Sequence, residues 1–332
     1  MMKKILVTGS EGYIGQHLVE LLVSSGHKVF GCDPCWYDEA FITEKVQGYE
    51  LFKCDFSDLS EAELVGFDAV CHLAAISNDP MGDLDPDITL SINQHKTISF
   101  AERCARSGVG MFLFSSSCSV YGEAVSELVD EQSDLNPVSL YAETKVEVEN
   151  ALLELGKNGF VTASLRNATA FGHSLNLRLD LVINDFVATA LTTGSINMLS
   201  NGEAHRPLVH CRDIAAAFMR LCESPTNKVK DLVVNFGPQN ANLKVIQMAK
   251  ETQKVLENCE ISIGDDAGKD TRDYSVDFKK WNSLFPNFKF CYSLNEGIIK
   301  LKQTLENFRF CENDRTSGRF KRLHLLKKAL DS

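Results

Sequence analysis

Three glycines at intervals of three residues, near the start of the chain, are the feature that most limits how it folds. Residues 3–8 have the apolar character of a short buried strand and run directly into Gly9, Gly12 and Gly15. Residues 16–25 then carry three leucines at helical spacing. A strand, a glycine turn and a helix in this order predict that backbone N–H groups at the helix start face a dinucleotide phosphate. The spacing differs from the commoner Gly-x-Gly-x-x-Gly, and a flexible turn is the alternative for this motif alone.

Acidic and small residues follow the next predicted strands. Asp33 follows residues 28–32. An acid there accepts hydrogen bonds from the adenosine ribose and repels a 2′-phosphate, which favours NAD over NADP. Asp55 follows a third predicted strand, and Ala74 follows a fourth at residues 68–71. These positions all fall at the carboxyl ends of strands, where parallel sheets bind their ligands.

Strands and helices continue to alternate over the first half of the chain. Helices are predicted at residues 87–107 and 141–156, and strands at 111–114 and 161–165. This alternation predicts an α/β fold with a Rossmann-type, doubly wound parallel sheet and helices on both faces. Residues 233–237 are expected to return to the same sheet.

The regular alternation weakens after residue 172. A helix at residues 181–193 and a hairpin-like stretch near residues 196–202 indicate a smaller C-terminal α/β domain that binds substrate. The expected division is an NAD-binding Rossmann domain at residues 1–170 with a returning segment at about 207–240, and a substrate-binding domain formed by residues 171–206 and 241–332.

Composition argues against several classes of function. The 332 residues carry a formal net charge of −11, so no basic face for nucleic acid is expected. No apolar run is long enough to span a bilayer, and we expect a cytoplasmic protein without an integral membrane segment. The eleven cysteines are odd in number and scattered, which is typical of reduced thiols. Cys32 and Cys35 have no second Cys/His pair near them, so no metal site is expected.

Tyr141 and Lys145 lie four residues apart in a predicted helix, shortly after the serine run at residues 115–117. Residues at this spacing share one helix face. An ammonium beside a phenol favours the phenolate, and such a tyrosine can take a proton from a sugar or alcohol hydroxyl. Because Tyr-x-x-x-Lys also occurs by chance on solvated helices, the interpretation depends on the motifs that precede it.

Several motifs together resemble the extended short-chain dehydrogenase/reductase superfamily, in its NAD-dependent nucleotide-sugar epimerase/dehydratase branch. They are the glycine turn, residues 72–75, residues 115–122 and the Tyr141/Lys145 pair, all in the family's order and spacing. Residues 206–213, Arg-Pro-Leu-Val-His-Cys-Arg-Asp, are similar to a further motif of the family. The resemblance covers nearly the whole chain.

The resemblance implies NAD as cofactor and a nucleotide-diphosphate sugar as substrate. Tyr141 is then the general base, Lys145 holds the nicotinamide ribose, and Ser117 hydrogen-bonds the reacting sugar oxygen. The residues implied to bind NAD are Gly9, Gly12, Tyr13, Ile14, Gly15, Asp33, Asp55, Phe56, Leu73, Ala74, Ala75, Asn93, Lys145 and Asn167. Those implied to bind the substrate are Ser117, Thr169, Arg178, Asn184, Arg206 and Arg272. The arginines suit a diphosphate because the guanidinium fork pairs with phosphate oxygens, and a surface salt bridge is the alternative for each.

Departures from the family pattern narrow the expected reaction. The 4,6-dehydratases carry an acid just after the serine position, where this chain has Cys118 and Ser119. Residues 171–186 are similar to a subgroup of nucleotide-sugar C4 epimerases and C4 dehydrogenases. We therefore expect hydride abstraction at sugar C4 with Tyr141 as base, followed by epimerisation or net oxidation. The alternatives are a 4-ketoreductase or 4,6-dehydratase, a non-catalytic NAD-binding sensor or scaffold, and a reductase of a non-nucleotide ketone or steroid.

The basic tail has no assigned role. Residues 315–328 contain six Lys/Arg and no acid. Four apolar residues of the tail share one predicted helical face: Phe320, Leu323, Leu326 and Leu330. A membrane-surface or partner-binding helix is one interpretation, but we expect a terminal helix packed on the body or on a second subunit. By resemblance, a homodimer is expected, through a four-helix contact made by helices 87–107 and 141–156.

Overall fold

The computed structural model describes residues 1–77, 85–123, 128–257, 259–268 and 273–330. Its strands are β1 (Lys4–Thr8), β2 (Lys28–Cys32), β3 (Glu50–Phe52), β4 (Ala69–His72), β5 (Phe112–Ser117), β6 (Thr162–Asn167), β7 (Thr169–Phe171), β8 (Ser195–Ser200), β9 (His205–His210), β10 (Leu232–Phe236), β11 (Asn242–Lys244) and β12 (Glu260–Gly268).

The α-helices of these ranges are α1 (Gly15–Ser24), α2 (Glu61–Leu64), α3 (Pro86–Thr89), α4 (Thr97–Arg106), α5 (Leu140–Lys157), α6 (Val182–Thr193), α7 (Cys211–Glu223), α8 (Thr226–Val229), α9 (Val245–Val255), α10 (Lys279–Leu284), α11 (Leu294–Phe308), α12 (Glu312–Thr316) and α13 (Arg322–Leu330). A π-helical segment, Leu90–Lys96, joins α3 to α4. Among the helices so described, none has the length and apolar character needed to cross a membrane.

The main sheet has seven strands in the order β10-β6-β5-β4-β1-β2-β3, and every neighbouring pair is parallel. The order reverses between β1 and β4, so the loops after these strands diverge and leave a crevice at their carboxyl ends. Strand β10 pairs with β6, with Leu232 opposite Ala163, which confirms the predicted return of residues 233–237. The expected doubly wound parallel sheet is confirmed.

Alternate side chains of β1 serve opposite faces of this sheet. Ile5 and Val7 pack in one apolar cluster with side chains of α1 and α7. Leu6 packs in another cluster with side chains of α4 and α5. Because the strand is buried on both faces, it is apolar throughout rather than alternating. Helices therefore pack on both faces of the main sheet and hold in place the strand ends at which the crevice opens.

A third apolar cluster lies among the C-terminal elements. It gathers side chains of α6, α9 and α11, including Ile183, Met248 and Leu301, beside a three-stranded sheet of order β11-β9-β7. Phe278 and Trp281 are fully buried in the cluster of the main sheet instead. Part of the C-terminal segment therefore packs against the Rossmann core.

The hairpin predicted near residues 196–202 is wrong. Strand β8 pairs in parallel with β12, and β9 pairs with β7 and β11. Gly202, at the end of this stretch, has φ +76°, and its carbonyl accepts a hydrogen bond from the N–H of Ile246 at 3.0 Å. The turn therefore packs against the start of α9, and the two strands separate to different partners.

The basic tail packs on the body of the same chain, as expected. Phe320, Leu325 and Leu326 are nearly fully buried, and the carbonyl of Phe320 accepts a hydrogen bond from the N–H of Leu179 at 2.8 Å. Leu325 is thus a buried residue that the predicted helical face omitted. Helix α13 lies between the C-terminal cluster, which holds Leu325, and the cluster of α4 and α5, which holds Leu326.

Candidate active site

The glycine turn between β1 and α1 is close-packed. Gly9 has φ +70°, and a Cβ on it would lie 2.8 Å from the backbone N of Ala74. A Cβ on Gly15 would lie 2.0 Å from the carbonyl oxygen of Gly9. A side chain at either position therefore collides with backbone: the turn packs against the residues that follow β4, and the start of α1 packs against the end of β1. The N–H of Gln16 already donates to the carbonyl of Gly12 at 3.2 Å, and the positive end of the helix faces the cleft.

Asp33 at the end of β2 is buried, with 7% of its surface exposed. Its carboxylate oxygens accept hydrogen bonds from the N–H of Cys35 at 2.7 Å and of Glu11 at 3.1 Å. Burial raises the pKa of Asp33 to about 6, although both N–H groups act in the opposite direction. The carboxylate is therefore held rigidly at the strand end and is still ionised at neutral pH.

Asp55, which follows β3, is more exposed. Burial alone raises its pKa, but the Lys96 ammonium at 2.8 Å and the N–H of Ser57 at 2.9 Å leave that pKa below its ordinary value. Asp55 also caps the short 3₁₀ turn that begins at Phe56.

These residues line one cleft of about 860 Å³ at the reversal point of the sheet. Eleven of the residues predicted to bind NAD are on its wall: Gly9, Gly12, Tyr13, Ile14, Gly15, Asp33, Asp55, Phe56, Leu73, Ala74 and Ala75. Sequence reasoning missed other lining residues: Pro34, Trp36, Tyr37, Ile76, Ser77, Ile92 and Arg322. Most of these follow a lining residue in the chain, whereas Arg322 carries no local signal because it comes from the far C-terminus.

Asn93 holds in place the segment that follows β4. It lies in the π-helical segment and is 2% exposed. Its side-chain amide donates to the carbonyl of Ile76 at 2.9 Å and accepts from the N–H of Ile76 at 2.8 Å. Both bonds hold the segment after β4 in place, so Asn93 shapes the cleft wall from behind.

Helix α5 brings Tyr141 and Lys145 together at its first turn. Ser139 caps the helix by accepting from the N–H of Ala142 at 3.3 Å. The Lys145 ammonium lies 5.4 Å from the centroid of the Tyr141 ring and donates to the carbonyl of Ser115 at 2.8 Å. Burial lowers the pKa of Lys145 to about 7, against the opposing charge of Glu149. A lysine of this kind gains or loses its charge near neutrality, according to what binds beside it.

Ser117 ends β5, opposite Asn167 of β6. Its hydroxyl oxygen accepts from the N–H of Ser119 at 3.1 Å, so it caps the 3₁₀ turn that follows. The hydroxyl proton is not used in that bond and can be donated to a ligand oxygen. The side chain of Cys118 is 1% exposed and donates from its thiol to the carbonyl of Arg166 at 3.2 Å.

A buried ion pair supports the ends of β5 and β6. Arg166 and Glu149 approach to 2.7 Å, and Glu149 also accepts from the hydroxyl of Ser116. Arg166 donates to the Tyr121 hydroxyl at 3.0 Å, and that hydroxyl donates to Asn235 of β10 at 2.7 Å. The network ties α5 to three neighbouring strands, which fixes Lys145 against the sheet.

Asn167 continues this polar edge. Its side-chain amide donates to the hydroxyl of Ser115 at 3.1 Å and to the carbonyl of Ser116 at 3.2 Å. Its side-chain oxygen is buried and has no hydrogen-bond partner in the described part of the chain. That oxygen is an acceptor available to a ligand at the strand ends.

The residues predicted to bind substrate do not all lie together. Arg178 lines the cofactor cleft, where it pairs with Asp180 at 2.8 Å and donates to the Ser77 hydroxyl at 2.9 Å. Asn184 is fully buried, and its amide bonds to Gly172, to the carbonyl of Arg178 and to the Tyr13 hydroxyl.

The other predicted substrate residues lie on or near the small sheet. Thr169 is in β7, and Arg206 is in the adjacent strand β9. The Arg206 guanidinium lies 5.4 Å from the centroid of the Tyr274 ring and donates to the carbonyl of His205 at 2.7 Å. Arg272 lies outside the described residues.

Residues 5–237 match the model of the NAD dependent epimerase/dehydratase family. The chain belongs to this family. It is therefore an enzyme of the NAD-dependent, extended short-chain dehydrogenase/reductase type, and the predicted family resemblance is confirmed.

Most of the curated relatives found act on nucleotide sugars, and one, 32% identical over 51% of this chain, is the sterol-4-alpha-carboxylate 3-dehydrogenase, decarboxylating, of Mus musculus. UDP-glucuronic acid decarboxylase 1 of Xenopus tropicalis is 26% identical over 92% of this chain and 72% of its own length. UDP-glucose 4-epimerase of Mycolicibacterium smegmatis is 27% identical over 65% of this chain and 72% of its own length. Among solved structures, MoeE5 in complex with UDP-glucuronic acid and NAD has a TM-score of 0.79 at 25% identity, covering 92% of this chain and 99% of that one.

The cleft of this family member fits NAD by its own geometry. The glycine turn leaves backbone at the positions where side chains would collide, and the start of α1 faces the cleft. The buried carboxylate of Asp33 stands at the end of β2, where an adenosine ribose is held in folds of this type. The unpartnered oxygen of Asn167 and the ammonium of Lys145 supply one acceptor and one donor at the other strand ends.

Proposed function

We propose that the enzyme oxidises a nucleotide-diphosphate sugar at C4 and then returns the hydride to the opposite face, which makes it a C4 epimerase. The observation that carries this proposal is the pairing of Tyr141 with the buried Lys145 at the start of α5, against the serine end of β5. Bound NAD supplies the hydride acceptor. The chain's own residues then have to hold the sugar and remove one hydroxyl proton.

Tyr141 is the proposed base. Its phenolate takes the proton of the C4 hydroxyl, and the adjacent Lys145 ammonium stabilises the phenolate by its charge. Ser117 donates its free hydroxyl proton to the same sugar oxygen. Lys145 is anchored to the carbonyl of Ser115 by one of its three N–H bonds, so two remain for the nicotinamide ribose.

The two positions after Ser117, where 4,6-dehydratases carry their acid, hold Cys118 and Ser119 in this chain. The position after Ser117 is occupied by Cys118, whose thiol is buried and directed at the carbonyl of Arg166. Burial raises the pKa of this thiol, with the Arg166 charge opposing. A thiol that faces the protein interior cannot protonate a leaving hydroxyl, which argues against a 4,6-dehydratase.

The presence of both Tyr141 and Lys145 argues against a non-catalytic sensor, because a sensor has no need of a buried lysine beside a tyrosine. A ketone or steroid reductase has no need of Arg206 near the substrate. Competition by a nucleoside diphosphate distinguishes a nucleotide-sugar enzyme from a steroid reductase, because it should inhibit the first and leave the second unaffected.

The test is incubation of the purified protein and NAD with a panel of UDP-, GDP- and dTDP-sugars, followed by NMR of the products and absorbance of NADH. We expect a C4 epimer without NADH accumulation. Tyr141→Phe should lower kcat by at least about a thousandfold while NAD affinity is retained, as expected for loss of a base and its oriented hydroxyl. Unchanged turnover in Tyr141→Phe would rule out the assigned base.

A second candidate is decarboxylation of a nucleotide hexuronic acid. Five UDP-glucuronic acid decarboxylases among the similar relatives favour it, each aligned over at least 90% of this chain. Oxidation at C4 of a uronic acid gives a β-keto acid, which loses CO₂ without a further acid group on the enzyme. Release of labelled CO₂ from UDP-glucuronic acid distinguishes this outcome from epimerisation.

We also propose that the enzyme works as a cytoplasmic homodimer in which α4 and α5 form a four-helix contact with their counterparts. Family resemblance supports this arrangement. Light scattering at micromolar concentration tests it, and a monomeric mass would contradict it.

A further inference from the structure

The C-terminal segment, residues 319–330, closes part of the cofactor cleft. Arg322, the first residue of α13, lines this cleft together with the glycine turn and Asp33. It is 2% exposed, which is unusual for an arginine. No motif near the start of the chain indicates that a residue about three hundred positions later reaches the same cleft.

The Arg322 guanidinium is only partly satisfied. One terminal nitrogen, Nη2, donates to the side-chain oxygen of Asn176, and the guanidinium stacks over the Tyr37 ring at 4.5 Å. The other, Nη1, is buried and has no hydrogen-bond partner among the described residues. A buried charged donor without an acceptor is costly, so its retention indicates that a ligand supplies the acceptor.

The surrounding charges leave this cation under-compensated. Burial lowers the pKa of Arg322 to about 10, and the nearby Arg178 acts in the same direction. Asp180 is engaged by Arg178 through two hydrogen bonds, and the oxygens of Asp33 already accept two backbone N–H groups. An anion that binds between the two guanidiniums and the start of α1 is therefore stabilised more strongly than an anion at a surface site.

We propose that Arg322 is a cofactor-binding residue, whose Nη1 donates to a pyrophosphate oxygen of bound NAD, and that the C-terminal segment thereby closes over the cofactor. The pyrophosphate is the dinucleotide's anion, and the glycine turn that receives it lines the same cleft. A 2′-phosphate is the poorer fit because the Asp33 carboxylate stands where it would lie. The inference rests on the proposed use of NAD.

The segment is anchored on both sides of the cleft. Arg319 donates to the carbonyls of Glu39 and Phe41, in the loop that follows Asp33. Phe320 and Leu325 pack in the C-terminal cluster, while Leu326 packs beside β2 and α4. With Arg322 on its pyrophosphate, a bound cofactor would leave only after this contact with the anchored segment breaks. Slow cofactor release suits an epimerase, which keeps its NAD through each cycle, better than a dehydrogenase, which must exchange it.

Calorimetric titration of the cofactor-free protein tests the contact. The probes are NAD, ADP-ribose, which keeps the pyrophosphate, and adenosine, which lacks it. We expect Arg322→Met to weaken NAD and ADP-ribose about tenfold to a hundredfold, the range for one charge-assisted hydrogen bond, and to leave adenosine affinity unchanged. Arg322→Lys should recover part of the loss.

Lys327→Met is the matched control. It removes a cation from the same helix, at an exposed position that does not line the cleft, so the ratio of ADP-ribose to adenosine affinity should stay as in the wild type. Equal NAD affinity in Arg322→Met and wild type overturns the inference. So does a parallel loss of adenosine affinity.

Hydrogen exchange supplies a test that does not depend on a variant folding. In the wild-type protein, saturating NAD should slow exchange of the backbone amides in residues 319–330, and no change there overturns the closure. If the wild type binds neither NAD nor ADP-ribose, the proposed function itself fails. If it binds both and Arg322→Met binds them equally well, only this inference fails.

Discussion

Replacing Lys145 with methionine should reveal the cost of keeping an ammonium in the active site. The side chain is 3% exposed, and burial lowers its pKa from 10.5 to about 7. In the folded cofactor-free protein, Lys145 therefore releases its proton near pH 7, whereas in the unfolded chain it keeps the proton to beyond pH 10. Between these values the unfolded state binds more protons, so Lys145's contribution to stability rises with pH.

The magnitude follows from the two pKa values. Integrating the proton difference from pH 6 to pH 8 gives about 1.4 kcal/mol, because the folded state passes through half-protonation at about pH 7 while the unfolded state stays charged. Lys145→Met, which has no charge to bury, should be more stable than the wild type at both pH values. The difference in the free energy of unfolding between the variant and the wild type should shrink by about 1.4 kcal/mol from pH 6 to pH 8.

This difference in the free energy of unfolding is measured by urea unfolding of the cofactor-free proteins at pH 6, 7 and 8. Tryptophan fluorescence, which includes that of the buried Trp281, reports the unfolding. Lys157→Met is the matched control, because Lys157 lies on the same helix with its side chain 70% exposed. It should show no pH-dependent difference. A Lys145→Met difference that is constant over this range, or that widens as the pH rises, refutes the assignment of a desolvated lysine.

Two further predictions concern groups that hold the site. Glu149→Gln should destabilise the fold by about 3–5 kcal/mol, because it leaves the Arg166 guanidinium buried without its carboxylate, and urea unfolding at pH 7.5 measures this. A change below about 1 kcal/mol would show that the pair is not the main support of the strand ends. NAD affinity should fall as the pH drops through about 6, where Asp33 gains a proton and loses acceptor capacity. Asp33→Asn should bind NAD with little dependence on pH between 5 and 6.5, and a wild-type affinity that is flat over that range contradicts the role of Asp33.

Local patterns in the sequence were sufficient to predict the main sheet. The glycine turn, the apolar strands and the helices between them each have short-range signals, and a parallel order leaves few arrangements for them. The strand-end residues Asp33, Asp55 and Ala74 lie on one cleft as expected, because parallel strands end at one edge. The proximity of Tyr141 and Lys145 could likewise be predicted, because their spacing is that of a single helical turn.

The failures come from contacts between distant segments. The pairing of β8 with β12 joins residues about sixty positions apart, and no local pattern distinguishes it from a hairpin. Arg178 was expected at the substrate, but the structure directs it at Asp180 and Ser77 in the cofactor cleft. Arg322 was not considered at all, because a basic residue in a basic tail is ordinarily solvated. Its burial depends on Tyr37 and Asn176, which only the fold brings near it.

In the proposed mechanism, the low pKa of Lys145 would link cofactor binding to activation of the Tyr141 base. At pH 7.5 about a quarter of the free enzyme carries this charge, and Tyr141 needs the charge beside it. If ribose oxygens accept hydrogen bonds from the ammonium as proposed, they raise its pKa again, and NAD binding should then take up about 0.75 proton at pH 7.5. Calorimetry of NAD binding in phosphate and in Tris, whose ionisation enthalpies differ, measures this uptake directly. Lys145→Met should show close to none, and equal heats in both buffers for the wild type would mean that Lys145 is already charged, or stays neutral, when the cofactor binds.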